Sequence, residues 1–163
     1  MDELRQALRR DPRTCLPHRF ARAYFLAITD RPLLRGFLLD DPDLLGKLTS
    51  SPDTARDERH TRMAGEYFQL LAEHGLLRDD MGVDEIGYAY QATFEGFLRA
   101  EGAADRRADL LARTVRRAFE SESAVPDAAP RDDAALRDIA AATVALLTDL
   151  IDADRAESGI PQD

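Results

Sequence analysis

An all-α helical bundle is the fold class that this sequence predicts, on three observations. Apolar residues recur at three- and four-residue spacing over most of the chain, and strand-like alternation never runs beyond a few residues. The segments marked in this way are punctuated by Asp, Pro and Gly where helices start and stop. The 163 residues, 44% of them hydrophobic, suffice for one sizeable core, so a single domain is expected.

The elements follow in order. Asp2 opens a first helix that reaches Arg10, and Asp11-Pro12 stops it. Pro17 starts a second, because its missing N–H is one that a helix leaves unpaired anyway. It runs to about Thr29 with Phe20, Tyr24, Ala27 and Ile28 on one stripe. Two short helices, Pro32 to Leu39 and Pro42 to Leu48, each begin at a proline, the second behind Asp41 as N-cap. Both are too short to stand alone and must pack. After a loop at Thr49 to Pro52, Asp53 caps a long helix to His74 and Gly75 ends it. Its inward stripe is Met63, Tyr67, Leu70, Leu71 and His74, and its charged start, Asp57 to Arg62, is a solvated face.

Leu76-Leu77 tether the connection to a helix from Asp84, its N-cap, to Glu101. Ile86, Ala89, Tyr90, Thr93, Phe94 and Phe97 lie on one side of it, and Tyr88, Ala92 and Gly96 on a second face. Ala104 to Glu120 forms the next helix, with Ala108, Leu111, Val115, Ala118 and Phe119 inward and Arg106, Arg113 and Arg117 outward. Ser121 to Arg131 reads as a linker. Asp132 to Arg155 is a last helix with Leu136, Ile139, Ala140, Thr143, Leu147, Leu150 and Ile151 on its apolar side. It is expected to dock on the same domain, since Ile139, Leu147 and Ile151 would otherwise form an exposed apolar stripe.

Composition narrows the function. With 31 acidic against 22 basic residues the net charge is −9. That balance repels a phosphate backbone, because non-specific nucleic-acid binding comes from Lys and Arg releasing counterions. The single cysteine, Cys15, rules out an intramolecular disulfide and fits a reducing compartment. No apolar run has transmembrane length and no basic-then-apolar leader follows Met1, so a cytoplasmic protein without membrane contact is expected.

Catalytic and metal motifs are incomplete. Asp57 and His60 have the carboxylate-x-x-His spacing of a helical di-iron site, but His18 and His74 lack a carboxylate three residues before them. One thiol and three scattered histidines do not make a zinc set. Cys15 and His18 stand three apart with Pro17 between them and no orienting group, so Cys15 reads as a small buried side chain. There is no phosphate loop and no nucleophile elbow. No enzyme, metal or cofactor is expected.

The stretch Ala23 to Leu48, AYFLAITDRPLLRGFLLDDPDLLGKL, resembles the C-terminal domain of tetracycline-repressor (TetR) family transcriptional regulators. The resemblance extends through Pro32 to Arg35 and Leu38 to Leu48, then Gly75 to Asp79, Glu95 to Leu98 and Leu110 to Glu120, covering most of Asp2 to Glu120. It implies an effector-binding and dimerisation domain over 1–120, with 121–163 as linker and additional helix. The family's DNA-reading helix-turn-helix has no counterpart in these residues. DNA contact is therefore expected only through a missing N-terminal part, with Asp2 to Arg10 as the lower end of the lever towards it.

The resemblance further implies a homodimer in which Asp84 to Glu101 and Ala104 to Glu120 pack against their copies. Gly87, Gly96, Phe97, Ala108, Leu111 and Val115 are the expected contacts, and two glycines inside one helix suggest close backbone approach. It also implies a small, largely apolar effector enclosed by the central helices. Phe20, Tyr24, Met63, Tyr67, Tyr88, Gln91 and Phe94 are the expected lining, with His60 weighed beside them, because pockets of this kind are aromatic with a few polar groups needing partners. The alternative is a stand-alone acidic helical module that binds another protein through its last helix.

Overall fold

A computed structural model describes residues 2–31, 35, 54–122 and 133–157 of the chain. Six α-helices lie among them: α1 (Asp2–Arg10), α2 (Pro17–Thr29), α3 (Thr54–Glu73), α4 (Val83–Arg99), α5 (Ala104–Phe119) and α6 (Asp133–Glu157). The chain is all-α, and the described residues contain no strand beyond one isolated bridge between Leu77 and Glu120. The two short proline-led helices expected over 32–48 lie outside the described residues, as does most of the expected linker.

Local chemistry sets each boundary. A single 3-10 turn, Pro12–Cys15, joins α1 to α2, and the Asp11 carboxylate accepts the Arg13 N–H at 3.0 Å to start it. Gly75 ends α3 with φ +64°, a left-handed conformation in which a Cβ is strained. The N-cap of α4 is Gly82 rather than Asp84. Its N–H donates to the Glu85 side chain at 2.8 Å, which leaves Asp84 as an acid in the first helical turn. At the other end of α4 the Arg107 guanidinium donates to the carbonyls of Phe97, Leu98 and Ala100, and Arg35 donates to Leu98 as well. Cations there satisfy the orphan carbonyls and the negative end of the dipole.

Helix α2 is the centre of the bundle. It packs most extensively on α5 and also touches α1, α4 and the 3-10 turn. Phe25, Ile28, Ala108, Leu111 and Val115 have no exposed surface, and the Arg107 guanidinium lies 5.2 Å from the Phe25 ring centre. Helix α6 lies across α1, α3 and the 3-10 turn. Leu136, Ile139, Ala140 and Leu147 join the common core, and buried Thr143 satisfies its hydroxyl on the Ile139 carbonyl at 2.8 Å. Most of the apolar side of α6 is thus buried against α1, α3 and the 3-10 turn.

Three expectations need correction. His74 is exposed, its Nδ1 2.9 Å from the Leu70 carbonyl, because the helix turns its last residues to solvent. Phe25 and Phe68, absent from the expected stripes, are buried. Ala108, Leu111 and Val115, expected at a dimer interface, face α2 inside the monomer core and have no surface to offer a second copy.

Candidate ligand cleft

A cleft of about 430 Å³ opens between α2, α3 and α4. Its size falls in the range of small-molecule sites, about 300–1,000 Å³. Helix α2 contributes Phe20 and Tyr24, one turn apart. Helix α3 contributes His60, Met63, Tyr67 and Phe68 from its middle, and α4 lines the cleft along its length from Val83 to Leu98. All seven residues expected from the sequence, Phe20, Tyr24, Met63, Tyr67, Tyr88, Gln91 and Phe94, are brought together around this one space. His60 joins them.

The wall is a continuous aromatic layer. Phe20 lies 4.7 Å from Tyr67 and 5.9 Å from Tyr24, Tyr24 lies 5.4 Å from Phe94, and Tyr90 lies 5.0 Å from Phe68 and 6.0 Å from Phe94. These separations are those of offset and edge-on ring pairs, each favourable beyond simple burial. Phe25 closes the layer from behind with its edge to Phe94 at 5.9 Å.

The polar groups differ in how they are committed. The Tyr67 hydroxyl donates to the Cys15 carbonyl at 2.9 Å, so its proton is held by the protein itself. The Tyr90 hydroxyl is buried and has no hydrogen-bond partner among the described residues. Burial raises the pKa of both phenols well above the ordinary tyrosine value, so both are neutral at pH 7. Gln91 is exposed and donates to Glu95 at 3.0 Å, and Tyr88 stands 80% exposed, so these two form the rim rather than the floor. Phe68, Tyr90, Asp84 and Glu95 also line the cleft, beyond the residues that the sequence pointed to. Tyr90 was legible only as a residue of the inward stripe of α4.

Behind the cleft lies a buried polar junction. Glu120, 6% exposed, follows the end of α5 and places Oε1 2.7 Å from both the backbone N and Nδ1 of His18. A carboxylate only accepts, so both nitrogens donate. Cys15 is fully buried, with its sulfur 3.9 Å from the Leu136 carbonyl oxygen, and burial pushes its thiol up to about 12. A thiol so protonated is a poor nucleophile. His18 is turned to Glu120, so the sequence neighbours Cys15 and His18 form no reactive pair.

The expected dimer contacts are divided. Gly87 lines the cleft, where a Cβ would lie 3.7 Å from the Phe68 ring, so its neighbour is intramolecular. Phe97 packs on the core. Gly96 is exposed with nothing within 4 Å of a Cβ, and Tyr88 and Ala92 share that outward face of α4. Among the described residues no group of three or more His, Cys, Asp or Glu is placed to hold a metal ion. The Asp57 side chain lies outside the described residues. No described helix is long and apolar enough to cross a membrane. No family model, curated protein or solved structure matches this chain.

Proposed function

We propose that this chain is the effector-sensing and dimerising part of a TetR-like transcriptional regulator, and that the cleft between α2, α3 and α4 takes a small, largely apolar molecule. The observation that carries the reading is the cleft itself, an aromatic-walled space whose Tyr90 hydroxyl is buried without a partner among the described residues. Buried polar groups are nearly always satisfied, and a bound molecule or water would satisfy this one. The order of the TetR-like segments along the sequence supports the family assignment.

The cleft walls belong to different helices, so a ligand that fits one spacing of α3 and α4 better than another shifts the equilibrium between the two. The shift is bounded by the difference in its affinity for them. Dimerisation uses the outward faces of α4 and α5, where Tyr88, Ala92, Gly96 and Leu110 are exposed. DNA contact belongs to a helix-turn-helix outside these residues.

The test is a ligand screen on the purified chain, read by thermal shift and by tyrosine fluorescence, since the chain has no tryptophan. Compounds that stabilise the wild type and lose that effect in Phe94→Ala support the reading. A screen in which no compound distinguishes the two proteins counts against it. Sedimentation velocity gives the second arm, a dimer being expected.

A further inference from the structure

The turn between α1 and α2 is held from the cleft. Tyr67, in α3, is 4% exposed, and its ring belongs to the cleft wall, 4.7 Å from the Phe20 ring and 5.5 Å from that of Phe68. Its hydroxyl donates at 2.9 Å to the carbonyl of Cys15, the last residue of the 3-10 turn. Within the turn the Thr14 amide donates to Asp11 at 2.9 Å and the Leu16 amide to Arg13 at 3.0 Å, and the Asp11 amide ties it to α1 through the Ala7 carbonyl at 2.9 Å. On the side of α6 the Cys15 sulfur stands 3.9 Å from the Leu136 carbonyl oxygen, and a space of about 250 Å³ opens between the turn and α6, lined by Asp11, Pro12, Arg13, Leu136 and Arg137. The turn is therefore anchored towards the cleft and bordered by open space towards α6. Cys15 is fully buried, and a buried carbonyl deprived of its donor keeps its desolvation cost, so the turn and the Tyr67 ring move together.

We propose that Tyr67 is a positioning residue that makes the α1–α2 turn respond to what fills the cleft. A molecule packed against its ring fixes the hydroxyl on Cys15, and an empty cleft leaves the ring, and with it the turn, freer to open. The inference rests on the reading of the cleft as a ligand site. The coupling is bounded by what the hydrogen bond is worth, about two- to twelvefold in the equilibrium between the closed and the open turn. Phenylalanine at this position keeps the ring in the wall and loses only the tie.

The experiment follows amide exchange by NMR in the full chain, with and without neutral 1-aminoanthracene, whose own fluorescence reports binding. Phe94→Ala checks that the probe sits in the cleft, and circular dichroism checks each fold. Wild type and Tyr67→Phe are compared at equal fractional occupancy. The amides of Asp11, Thr14 and Leu16 report the turn, and those of Leu111 and Val115 serve as the reference for global opening. The expected result is that the probe slows the turn amides about two- to twelvefold in the wild type and by less than about twofold in Tyr67→Phe. A merely structural Tyr67 would change exchange in the variant without changing its response to the probe. Equal slowing of the turn in both proteins, or unchanged or faster exchange there in the occupied wild type, overturns the inference and leaves the ligand site standing. The wild type alone supplies a second reading in the carbonyl ¹³C resonance of Cys15, which moves as the cleft fills; a resonance that stays in place overturns the inference. Absence of saturable binding, or binding untouched by Phe94→Ala, overturns the ligand-site reading, and the inference falls with it.

Discussion

Replacing Glu120 removes a side chain that joins the end of α5 to the start of α2. Leu16, the N-cap of α2, makes no side-chain bond, and Pro17 has no N–H, so the His18 amide is the first donor that the helix must satisfy. Glu120 satisfies it from 102 positions away, and the same oxygen also takes the imidazole Nδ1–H. The two side chains are 13% and 5% exposed, so solvent does little to replace the contact. Glu120→Ala strands two buried donors at about 1–3 kcal/mol each, a loss of about 2–6 kcal/mol in total. In a chain of this length each kcal/mol moves the Tm by about 2–4 °C, so a fall of between about 4 and about 24 °C is expected. Glu120→Gln keeps the volume and one acceptor oxygen, and because both donors converge on one oxygen it loses only about 1–2 kcal/mol. Urea denaturation followed by circular dichroism measures both, and a cycle with His18→Ala isolates the pair. A loss below about 1 kcal/mol in Glu120→Ala, or equal losses in the two variants, refutes the argument.

Other expectations follow from single contacts. Leu147→Ala, at a site with no exposed surface between α6 and the core, costs about 2–5 kcal/mol by chemical denaturation. Gly75→Ala meets no neighbour but forces a Cβ into a positive φ, and costs about 1–2 kcal/mol in the same assay. Gly96→Ala adds a methyl in open space on a helix, so it stabilises the fold by about 0.5–1 kcal/mol. The same substitution weakens self-association in sedimentation velocity, because the methyl lies on the outward face of α4. The Cys15 thiol stays unreactive to Ellman's reagent at pH 8 in the native protein and reacts on unfolding. Its native pKa of about 12 stands above the ordinary thiol value of 9.0, so between these pH values the native state holds a proton that the unfolded state has lost. Stability is therefore complete below pH 9 and falls as pH rises towards 12, which pH-dependent urea curves measure against Cys15→Ala.

The helices were legible because their signals are local. Apolar spacing and the Pro and Gly stops place the ends of α2, α3 and α5 within two residues of the structure. The cleft was legible for a related reason, since residues on the inner stripes of three packed helices meet by geometry. The errors came where a side chain answers to a distant partner. Tyr24-Phe25 and Tyr67-Phe68 are adjacent in sequence and about 100° apart around a helix, so one stripe could claim only one of each pair. Helices α2 and α3 are covered on two sides and bury Phe25 and Phe68 as well. Glu120 reads as a surface acid, and nothing near it announces His18. The partner of the Tyr67 hydroxyl, the Cys15 carbonyl 52 positions away, is equally silent in the sequence.

The short bridge beside Leu77 gives the cleft a fixed end. The Arg78 amide donates to the Phe119 carbonyl at 3.0 Å and the Ser121 amide to the Leu76 carbonyl at 3.1 Å, riveting the turn between α3 and α4 to the terminus of α5. Buried Leu76 and Leu77 secure it from within. The two cleft walls are thus the arms of a pair of tongs pivoted at this rivet, with Phe68 resting near Gly87 and with His60 and Glu95 further along the arms. A small displacement near the pivot is magnified along α3 and α4, so amide exchange should slow most at the far ends of the arms when the cleft is filled and change least at Leu76 to Arg78.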